Sequence, residues 1–443
     1  MDREMKISGV DASPLVSGKR RQLLACAAVG VLGAPLVPAW AQFRVEVAGV
    51  GLKQIPFSIA PFAGAAQGGT DVPAVVRNDL ERSGQLRMVA PLAGALDENS
   101  RPDLGPWRER GTDALVTGSV NRLADGRFDV RFRLWDAVRG QDLGGLSFPV
   151  VAADLRLAGH KIADYVYEKL TGNKGVFSTR IAYVSKTGGQ YNLWVADADG
   201  EGAQAALTSN EPIISPAWAP GGSQLAYVSF ESRKPVIYVH EVASGRRRPV
   251  ATHRGSNSAP AWAPDGSRML ATLTLSGNSQ IYDIGSGGAD APRRLSQSGG
   301  IDTEAAFSPD GTSIYFVSDR GGSPQIYRMP ARGGAAERVT FNGSYNISPA
   351  ISPDGRWLAY VSRVGGAFKL QVMELSSGNI ASVTDTSDDE RPSFAPNSRL
   401  IMYATKVQGR EALMTTTVDG QIKTRLASVP GDIREPSWGP FLR

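Results

Sequence analysis

The chain has 443 residues, of which 42% are hydrophobic and 21% charged, which is enough apolar material for two folded cores. Its 48 Lys and Arg residues exceed its 43 Asp and Glu residues by five, and no basic run is longer than the triplet at 246–248, so nucleic-acid binding is unsupported. Cys26 is the only cysteine in the sequence, so stability cannot come from disulfides within the chain.

Residues 1–41 have the features of an export signal. The basic group Lys19-Arg20-Arg21 precedes an apolar stretch from Leu23 to Val37, and Ala39-Trp40-Ala41 matches a small-x-small cleavage site. Because the apolar stretch is too short to span a bilayer, we expect a cleaved signal peptide and not a membrane anchor. The mature chain would then start at Gln42, and we expect no transmembrane segment in it. A retained membrane anchor is the alternative, and the paired arginines leave general and twin-arginine export both open.

Residues 42–175 lack the repeat found further along the chain, and they predict a separate small α/β domain. Alternating or apolar runs predict five strands, at Phe43–Val47, Pro56–Phe62, Ala114–Val120, Arg127–Trp135 and Leu146–Pro149. Two amphipathic helices are expected, one from an N-cap at Asp71 to Arg82 and one from Leu155 to Leu170, with a helical turn at Trp107–Gly111.

From residue 176 to residue 443 the chain repeats one phrase six times. The first copy is Pro216-Ala-Trp-Ala-Pro-Gly-Gly222, and the proline equivalent to Pro220 falls at 220, 264, 309, 353, 396 and 440. Steps of 43–45 residues, each containing four strand-like runs, are typical of the blades of a β-propeller.

The phase of the repeat predicts how the ring closes. Within one period, strand A ends in the phrase, a Pro-Asp-Gly turn leads to strand B, and strands C and D follow. The first B run, Arg180–Ser185, has no A run before it, and the last A run, ending at Pro440, has no B run after it. We therefore predict an α/β N-terminal domain plus an all-β six-bladed β-propeller closed by the C-terminal strand.

The segments just before the six A strands should converge on one face, around the central channel. Several of their residues are acidic or carry amides, which suits the hydrogen-bonded docking of a protein with basic groups. The alternative is that these side chains only cap turns. The segments are 213–215, 257–259, 302–304, 346–348, 388–391 and 432–435.

Motifs for catalysis or cofactor binding have little support. The three histidines, His160, His240 and His253, fall in different predicted elements, and the sequence has no Gly-x-Ser-x-Gly elbow and no phosphate-binding loop. The acidic run at 385–390 lacks the ligand spacing of a calcium loop. We expect a non-enzymatic protein with no cofactor and no metal.

A rival hypothesis is a secreted propeller that binds or cleaves cell-wall saccharide. It would need opposed carboxylates across the channel, recruited from Glu304, Glu390 and Glu435, together with aromatic platforms. Aromatic residues of the A strands are available, although packing between blades is their simpler use. They are Trp218, Trp262, Phe307, Phe394 and Trp438.

The order of these features resembles the TolB family, periplasmic components of the bacterial Tol-Pal system. The export signal, the small α/β domain, the helix ending Lys169-Leu-Thr-Gly172, the run Arg180–Ser185 and the six repeated phrases cover almost all of the mature chain. The resemblance implies a periplasmic, non-enzymatic adaptor that binds the lipoprotein Pal through one propeller face and TolA through its N-terminal segment. It also implies that Pal binding controls release of that segment, that the protein serves outer-membrane integrity and constriction at cell division, and that other outer-membrane proteins are partners.

The resemblance and the converging segments together predict the binding residues. Segments 256–260 and 302–304 match family segments that touch Pal, although Ser256 replaces a histidine common there. The predicted Pal-binding residues are Ser256, Asn257, Ala259, Asp302, Thr303, Glu304, Asn346, Asp389, Glu390, Arg434 and Glu435.

The predicted TolA-binding residues are Gln42, Phe43, Arg44, Val45, Glu46 and Val47. They open a stretch to Gly51 that lacks the Asp-Ser-Gly of relatives. The stretch would add to a partner's sheet by β-augmentation, and the alternative is an edge strand of its own domain.

Overall fold

In a computed structural model of the chain, the described residues are 54–428 and 431–442. The predicted signal peptide and the predicted TolA-binding residues Gln42 to Val47 lie outside them. Within the described ranges, no helix is long and apolar enough to cross a membrane.

The first domain is a mixed six-stranded sheet that carries two long helices. The sheet order is β2-β1-β3-β4-β5, with β6 also paired to β4; the β1–β2 and β1–β3 pairs are parallel and the others antiparallel. The strands are β1 (Ile55–Ile59), β2 (Leu86–Met88), β3 (Ala114–Arg122), β4 (Phe128–Asp136), β5 (Gln141–Gly144) and β6 (Ser147–Val150). The helices are α1 (Val72–Arg82), α2 (Gly105–Glu109) and α3 (Leu155–Thr171), with short 3-10 turns at Ala65–Gly68 and Ala152–Asp154.

The ends of the two long helices follow from the local sequence. The side chain of Asp71 caps α1 by accepting a hydrogen bond from the backbone N–H of Ala74, and Gly172 ends α3 in the left-handed conformation. Apolar residues of both helices pack with the sheet in one buried core. The predicted helices and the predicted strands within the described ranges are confirmed close to their expected bounds, whereas β2 and β5 are absent from the sequence-based prediction.

The rest of the chain forms six four-stranded antiparallel sheets, the blades of the propeller. Blades 1 to 3 are β10 (Ile213–Trp218), β11 (Gln224–Ser229), β12 (Val236–Glu241), β13 (Arg247–Ala251); β14 (Asn257–Trp262), β15 (Arg268–Ser276), β16 (Asn278–Gly285), β17 (Arg293–Arg294); and β18 (Asp302–Phe307), β19 (Ser313–Ser318), β20 (Gln325–Pro330), β21 (Glu337–Arg338). Blades 4 and 5 are β22 (Asn346–Ile351), β23 (Trp357–Val364), β24 (Ala367–Glu374), β25 (Ile380–Ser382); and β26 (Glu390–Phe394), β27 (Leu400–Val407), β28 (Arg410–Thr417), β29 (Lys423–Arg425). Blade 6 is β30 (Asp432–Trp438), β7 (Arg180–Thr187), β8 (Gln190–Asp197) and β9 (Gln204–Ser209).

Blade 6 confirms the predicted closure of the ring. Its A strand, β30, comes from the far end of the chain and pairs antiparallel with β7, with Trp438 opposite Ile181. The indole N–H of Trp438 donates to the Thr179 hydroxyl at 2.9 Å, and its backbone N–H donates to the Ser393 hydroxyl of blade 5 at 2.8 Å. The last strand therefore joins its own sheet to both the start of the ring and the neighbouring blade.

Aromatic residues of the A and B strands fill the propeller. The B-strand tyrosines Tyr183, Tyr227, Tyr360 and Tyr403 are among the largest fully buried side chains. Indole N–H groups also join neighbouring blades, since Trp218 donates to the Ser437 carbonyl and Trp262 to the Ala217 carbonyl. These bonds agree with the expectation that the tryptophans pack between blades, and both side chains also line the channel.

The first domain contacts the turns between strands A and B and between strands C and D. Asn397, in the A–B turn of blade 5, donates to the Lys174 carbonyl at 3.0 Å. Asp199, in the C–D turn of blade 6, pairs with Arg156 of α3 at 2.7 Å. In an antiparallel blade these two kinds of turn lie at one end and the D–A links at the other, so these contacts leave the D–A face open.

Candidate protein-binding site

Most of the residues expected to precede the A strands lie inside those strands instead, whereas Asp388 and Asp389 do precede β26. Each A strand starts within two residues of the beginning of its predicted segment. The pairing of each A strand with strand B then shifts register, between residues 214 and 217, 258 and 261, 303 and 306, 347 and 350, 390 and 393, and 434 and 437. The six segments therefore converge where predicted, but most of their residues belong to the A strands and not to the links before them. The rim consists of six bulged strands, because a β-bulge bends a strand and re-aims its side chains.

The same position of every A strand has a left-handed backbone. The φ angles lie between 47° and 58°, in a region that non-glycine residues seldom adopt. Because the same unusual backbone conformation occurs in all six blades, the propeller fold itself requires it at this position. The residues are Ser215, Ala259, Glu304, Ser348, Arg391 and Glu435.

Side chains at these bulges connect adjacent blades. Glu304 of blade 3 accepts hydrogen bonds from the backbone N–H and the hydroxyl of Ser348 in blade 4, at 2.8 and 2.9 Å. Glu435 of blade 6 accepts from the Ser215 N–H of blade 1 at 3.2 Å and pairs with Arg391 of blade 5 at 2.8 Å. These bonds fix the backbone of the rim from one blade to the next.

The six A strands enclose a cavity of about 720 Å³ along the channel. Most of its lining is proline, alanine and aromatic side chain, and Glu304, Ser348 and Arg391 are among the polar lining residues. A concave apolar surface with a few fixed polar groups at its rim is typical of a binding site.

Four of the predicted contact residues are buried and hold the rim from inside. Asn257 donates to the carbonyls of Pro235 and His253, and Asn346 donates to the side-chain oxygen of Gln325. Asp302 pairs with Arg320 at 3.0 Å. Asp389 accepts bonds from the Leu370 N–H and from threonine hydroxyls. These side chains are at most 1% exposed, so they are not available for contact with a partner. They fit the alternative in which such residues cap turns, and they hold the backbone of the rim in position.

The other seven predicted contact residues are partly or fully exposed: Ser256, Ala259, Thr303, Glu304, Glu390, Arg434 and Glu435. Arg434 lies among Asp432, Glu390 and Glu411 at 3.2, 3.6 and 4.0 Å. Burial raises the pKa of Glu390, and the charge of Arg434 opposes that shift. This part of the rim therefore presents paired charges that a partner would have to match.

Sequence reasoning placed Ser215, Ser348 and Arg391 in the converging segments but not among the contact residues. The signal that identifies them is their alignment in the repeat. Five of the six left-handed residues, all but Glu304, directly precede the first proline of the repeated phrase.

The three carboxylates that the saccharide hypothesis requires already make contacts with other residues of the rim. Glu304 and Glu435 bond to neighbouring blades, and Glu390 faces Arg434.

Among the described residues, Asp79, His160 and Asp199 bring possible metal ligands within 4.8 Å of one another, at the contact between the domains. Arg82 and Arg156 already pair with those two carboxylates.

Comparison with known proteins covers both domains. The family described as the TolB amino-terminal domain matches residues 43–143, and the TolB beta propeller domain matches residues 167–442. The Tol-Pal system protein TolB of Polaromonas sp. is 69% identical over 415 residues, 94% of this chain and 97% of that protein. The Bordetella pertussis protein of the same name is 52% identical over 406 residues, 92% of this chain and 93% of that protein.

A solved structure extends the match to three dimensions. The crystal structure of TolB from Acinetobacter baumannii superposes with a TM-score of 0.81 at 37% identity, covering 88% of this chain and 97% of that one. Since both domains match and the similarity extends over nearly the whole length of each relative, the chain belongs to the TolB family of Tol-Pal system proteins.

Proposed function

We propose that this protein is a non-enzymatic periplasmic adaptor that binds Pal on the bulged rim of its propeller and TolA through residues 42 to about 51. In this role it would serve outer-membrane integrity and constriction of that membrane during division, after export with cleavage near Ala41. The observation that carries the proposal is the rim itself, a preformed surface on the face opposite the turns that contact the first domain.

The rim suits protein docking more than catalysis. Hydrogen bonds between blades and the four buried polar side chains hold its backbone in place, so little order would be lost when a partner binds. Ala259 and Thr303 lie on adjacent blades, and the Thr303 hydroxyl is 3.2 Å from that of Thr272. The two residues mark a continuous patch between blades 2 and 3.

The Pal proposal is tested by placing a charge in that patch. Ala259→Arg and Thr303→Arg should each weaken capture of Pal from an envelope extract by tenfold or more, about 1.4 kcal/mol, because a buried unpaired charge opposes association. Ala335→Arg is the matched control, since Ala335 is an exposed residue of the C–D turn of blade 3, on the opposite face. Equal capture by all three variants would remove the rim from the proposal.

The TolA proposal is tested separately. Deletion of residues 42–51 should abolish TolA binding and leave Pal binding intact or stronger, because the proposal assigns the two partners to different parts of the chain. Affinities are measured with purified partners by calorimetry. An unchanged TolA affinity would show that this segment is only an edge strand of its own domain.

A further inference from the structure

Large apolar side chains are exposed together on the D–A face, outside the rim. Among the described residues of the propeller, five large apolar side chains are exposed, and four of them lie on this face between blade 2 and blade 4. The exposed fraction is 71% for Phe341 and between 45% and 51% for the other three. We call this group the apolar crescent, and it consists of Leu275, Ile301, Phe341 and Val364.

The first half of the crescent is joined by hydrogen bonds between a turn and a link. In an antiparallel blade the B–C turns lie at the same end as the D–A links. Asn278, in the B–C turn of blade 2 next to Leu275, donates to the Gly299 carbonyl at 2.9 Å. Gly299 belongs to the link that carries Ile301, and the Ile301 N–H donates to the Asp319 carboxylate of blade 3 at 2.7 Å. Leu275 and Ile301 therefore belong to one surface.

The second half of the crescent is joined in the same way. Gln325 of blade 3 donates to the Gly343 carbonyl at 3.3 Å, in the link that carries Phe341. Further along that link, the Tyr345 carbonyl accepts a hydrogen bond at 3.0 Å from the N–H of Arg363, the residue before Val364. The crescent thus continues without a break from blade 2 to blade 4.

The chain around the crescent has the composition of an interface core. Residues 272–279, 295–301 and 339–345 contain no charged side chain, and serine, glycine and asparagine surround the apolar residues. The cores of protein interfaces are depleted of charge and enriched in aromatic residues. Because monomeric soluble proteins seldom expose large apolar patches, such a surface marks a place where another molecule docks.

Phe341 has the properties of an anchor for that contact. The guanidinium carbon of Arg338 lies 5.2 Å from the centre of the Phe341 ring, and Arg338 is itself fixed by a 2.6 Å bond from its Nε to the Thr340 carbonyl. The ring is therefore held in place before a partner arrives, although most of it is exposed. Aromatic residues of this kind supply much of the binding energy of protein interfaces.

Cations without a partner surround the crescent. Within the described ranges, Arg254, Arg338 and Arg363 form no ion pair. Arg254 lies beside the B–C turn of blade 2, since the N–H of Ser256 donates to the Thr274 hydroxyl at 2.8 Å. Acidic groups on the docking molecule would complement these charges.

We propose that the apolar crescent is the outer half of the Pal footprint, and that the surface of Pal covering it carries apolar side chains flanked by acidic groups. This inference rests on the proposed function. The crescent continues the patch between blades 2 and 3, because Thr303 of that patch contacts Thr272, which lies three residues before Leu275 in β15.

The apolar contact is tested by calorimetry with purified Pal and the full-length protein. Phe341→Ser and Ile301→Ser should each raise the Kd about tenfold or more, and Phe341→Leu should raise it less. Val138→Ser is the matched control, because Val138 is 55% exposed but belongs to the first domain. All four variants should melt at the native temperature, since the replaced side chains are exposed.

The charge complementarity is tested by reversal of one cation. Arg363→Glu should weaken Pal binding about tenfold, and the effect should shrink at high salt, because salt screens exposed charges. Arg332→Glu is the control, since Arg332 is exposed and lies in the C–D turn of blade 3, on the opposite face.

The possible results separate this inference from the proposed function. Native affinity in Phe341→Ser and Ile301→Ser, together with weak binding by Ala259→Arg, would overturn the crescent and leave the rim as the Pal site. Absence of Pal binding by the native protein would overturn both. Self-association in sedimentation experiments, lost in Phe341→Ser, would also overturn the inference, because the crescent would then join two copies of this chain.

Discussion

At the scale of single residues, two adjacent aspartates of the rim have different roles, because one supports the fold from inside and the other lies at the surface. Asp389 is buried and accepts hydrogen bonds from four donors, the hydroxyls of Thr384, Thr386 and Thr405 and the backbone N–H of Leu370. Asp388 is about half exposed and pairs with Lys406 at 3.3 Å. The sequence predicted the second position of this pair as a binding residue, and its burial could not be foreseen from an acidic run alone.

Asp389→Ala should therefore destabilise the protein strongly and Asp388→Ala weakly. The first change leaves several buried donors without an acceptor and should cost about 3 kcal/mol, whereas an exposed ion pair contributes at most about 1 kcal/mol. Urea unfolding followed by tryptophan fluorescence measures both. Equal costs would contradict the supporting role of Asp389.

Ala259→Gly should stabilise the protein by about 0.5–1 kcal/mol. Ala259 has a φ of 49°, which glycine adopts without the steric cost that a Cβ brings. Ala261, two residues on in the same strand, is the control, because glycine there only adds chain entropy and should destabilise. A loss of stability in both variants would show that the bulge is not strained.

At the scale of elements, the blades could be predicted because each repeats one pattern of apolar runs and turns. The bulge in every A strand could not, since nothing in Asn257-Ser-Ala259 or Asp302-Thr-Glu304 distinguishes a bulged strand from a link before it. β2 was missed for a related reason. Its three residues, Leu86–Met88, are too few to establish a period, and they form a strand because β1 lies parallel beside them.

Removal of the closing strand should disrupt the propeller as a whole. A chain ending at Gly431 lacks β30, which exposes the edge of β7 and removes the buried Trp438 and Ile433. Trp438→Ala alone should cost about 3–5 kcal/mol. A chain ending at Phe441 is the control and should unfold near the native temperature in calorimetry. A cooperative, native-like transition without β30 would contradict closure as a source of stability.

At the scale of the whole molecule, the contact between the domains depends on residues far apart in the sequence. Gly84, after α1, has a φ of 70°, and a Cβ there would lie 1.9 Å from the Cδ1 of Ile422 in the C–D turn of blade 5. No local pattern could reveal this contact, or the ionic cluster formed by residues near 80, 160 and 198. The helices and strands of each domain could largely be predicted from the sequence, but the contacts that join the two domains could not.

Gly84→Ala should therefore lower the melting temperature, and Ile422→Ala in the same chain should restore part of the loss. The restored part is the steric clash, while the strain of alanine at positive φ stays. Calorimetry of the two single variants and the double variant measures the coupling. Strictly additive losses would show that the two residues do not meet.

The pairing of β30 with β7 also sets the order in which the protein can mature after synthesis. Ile433 lies opposite Ser185, a separation of about 250 residues along the chain, so the innermost strand of blade 6 is made long after its neighbours. Until it pairs, blade 6 is incomplete and β7 keeps an open sheet edge. Assembly of this propeller is consequently a late event, in which the final stretch of polypeptide determines whether everything before it becomes a ring.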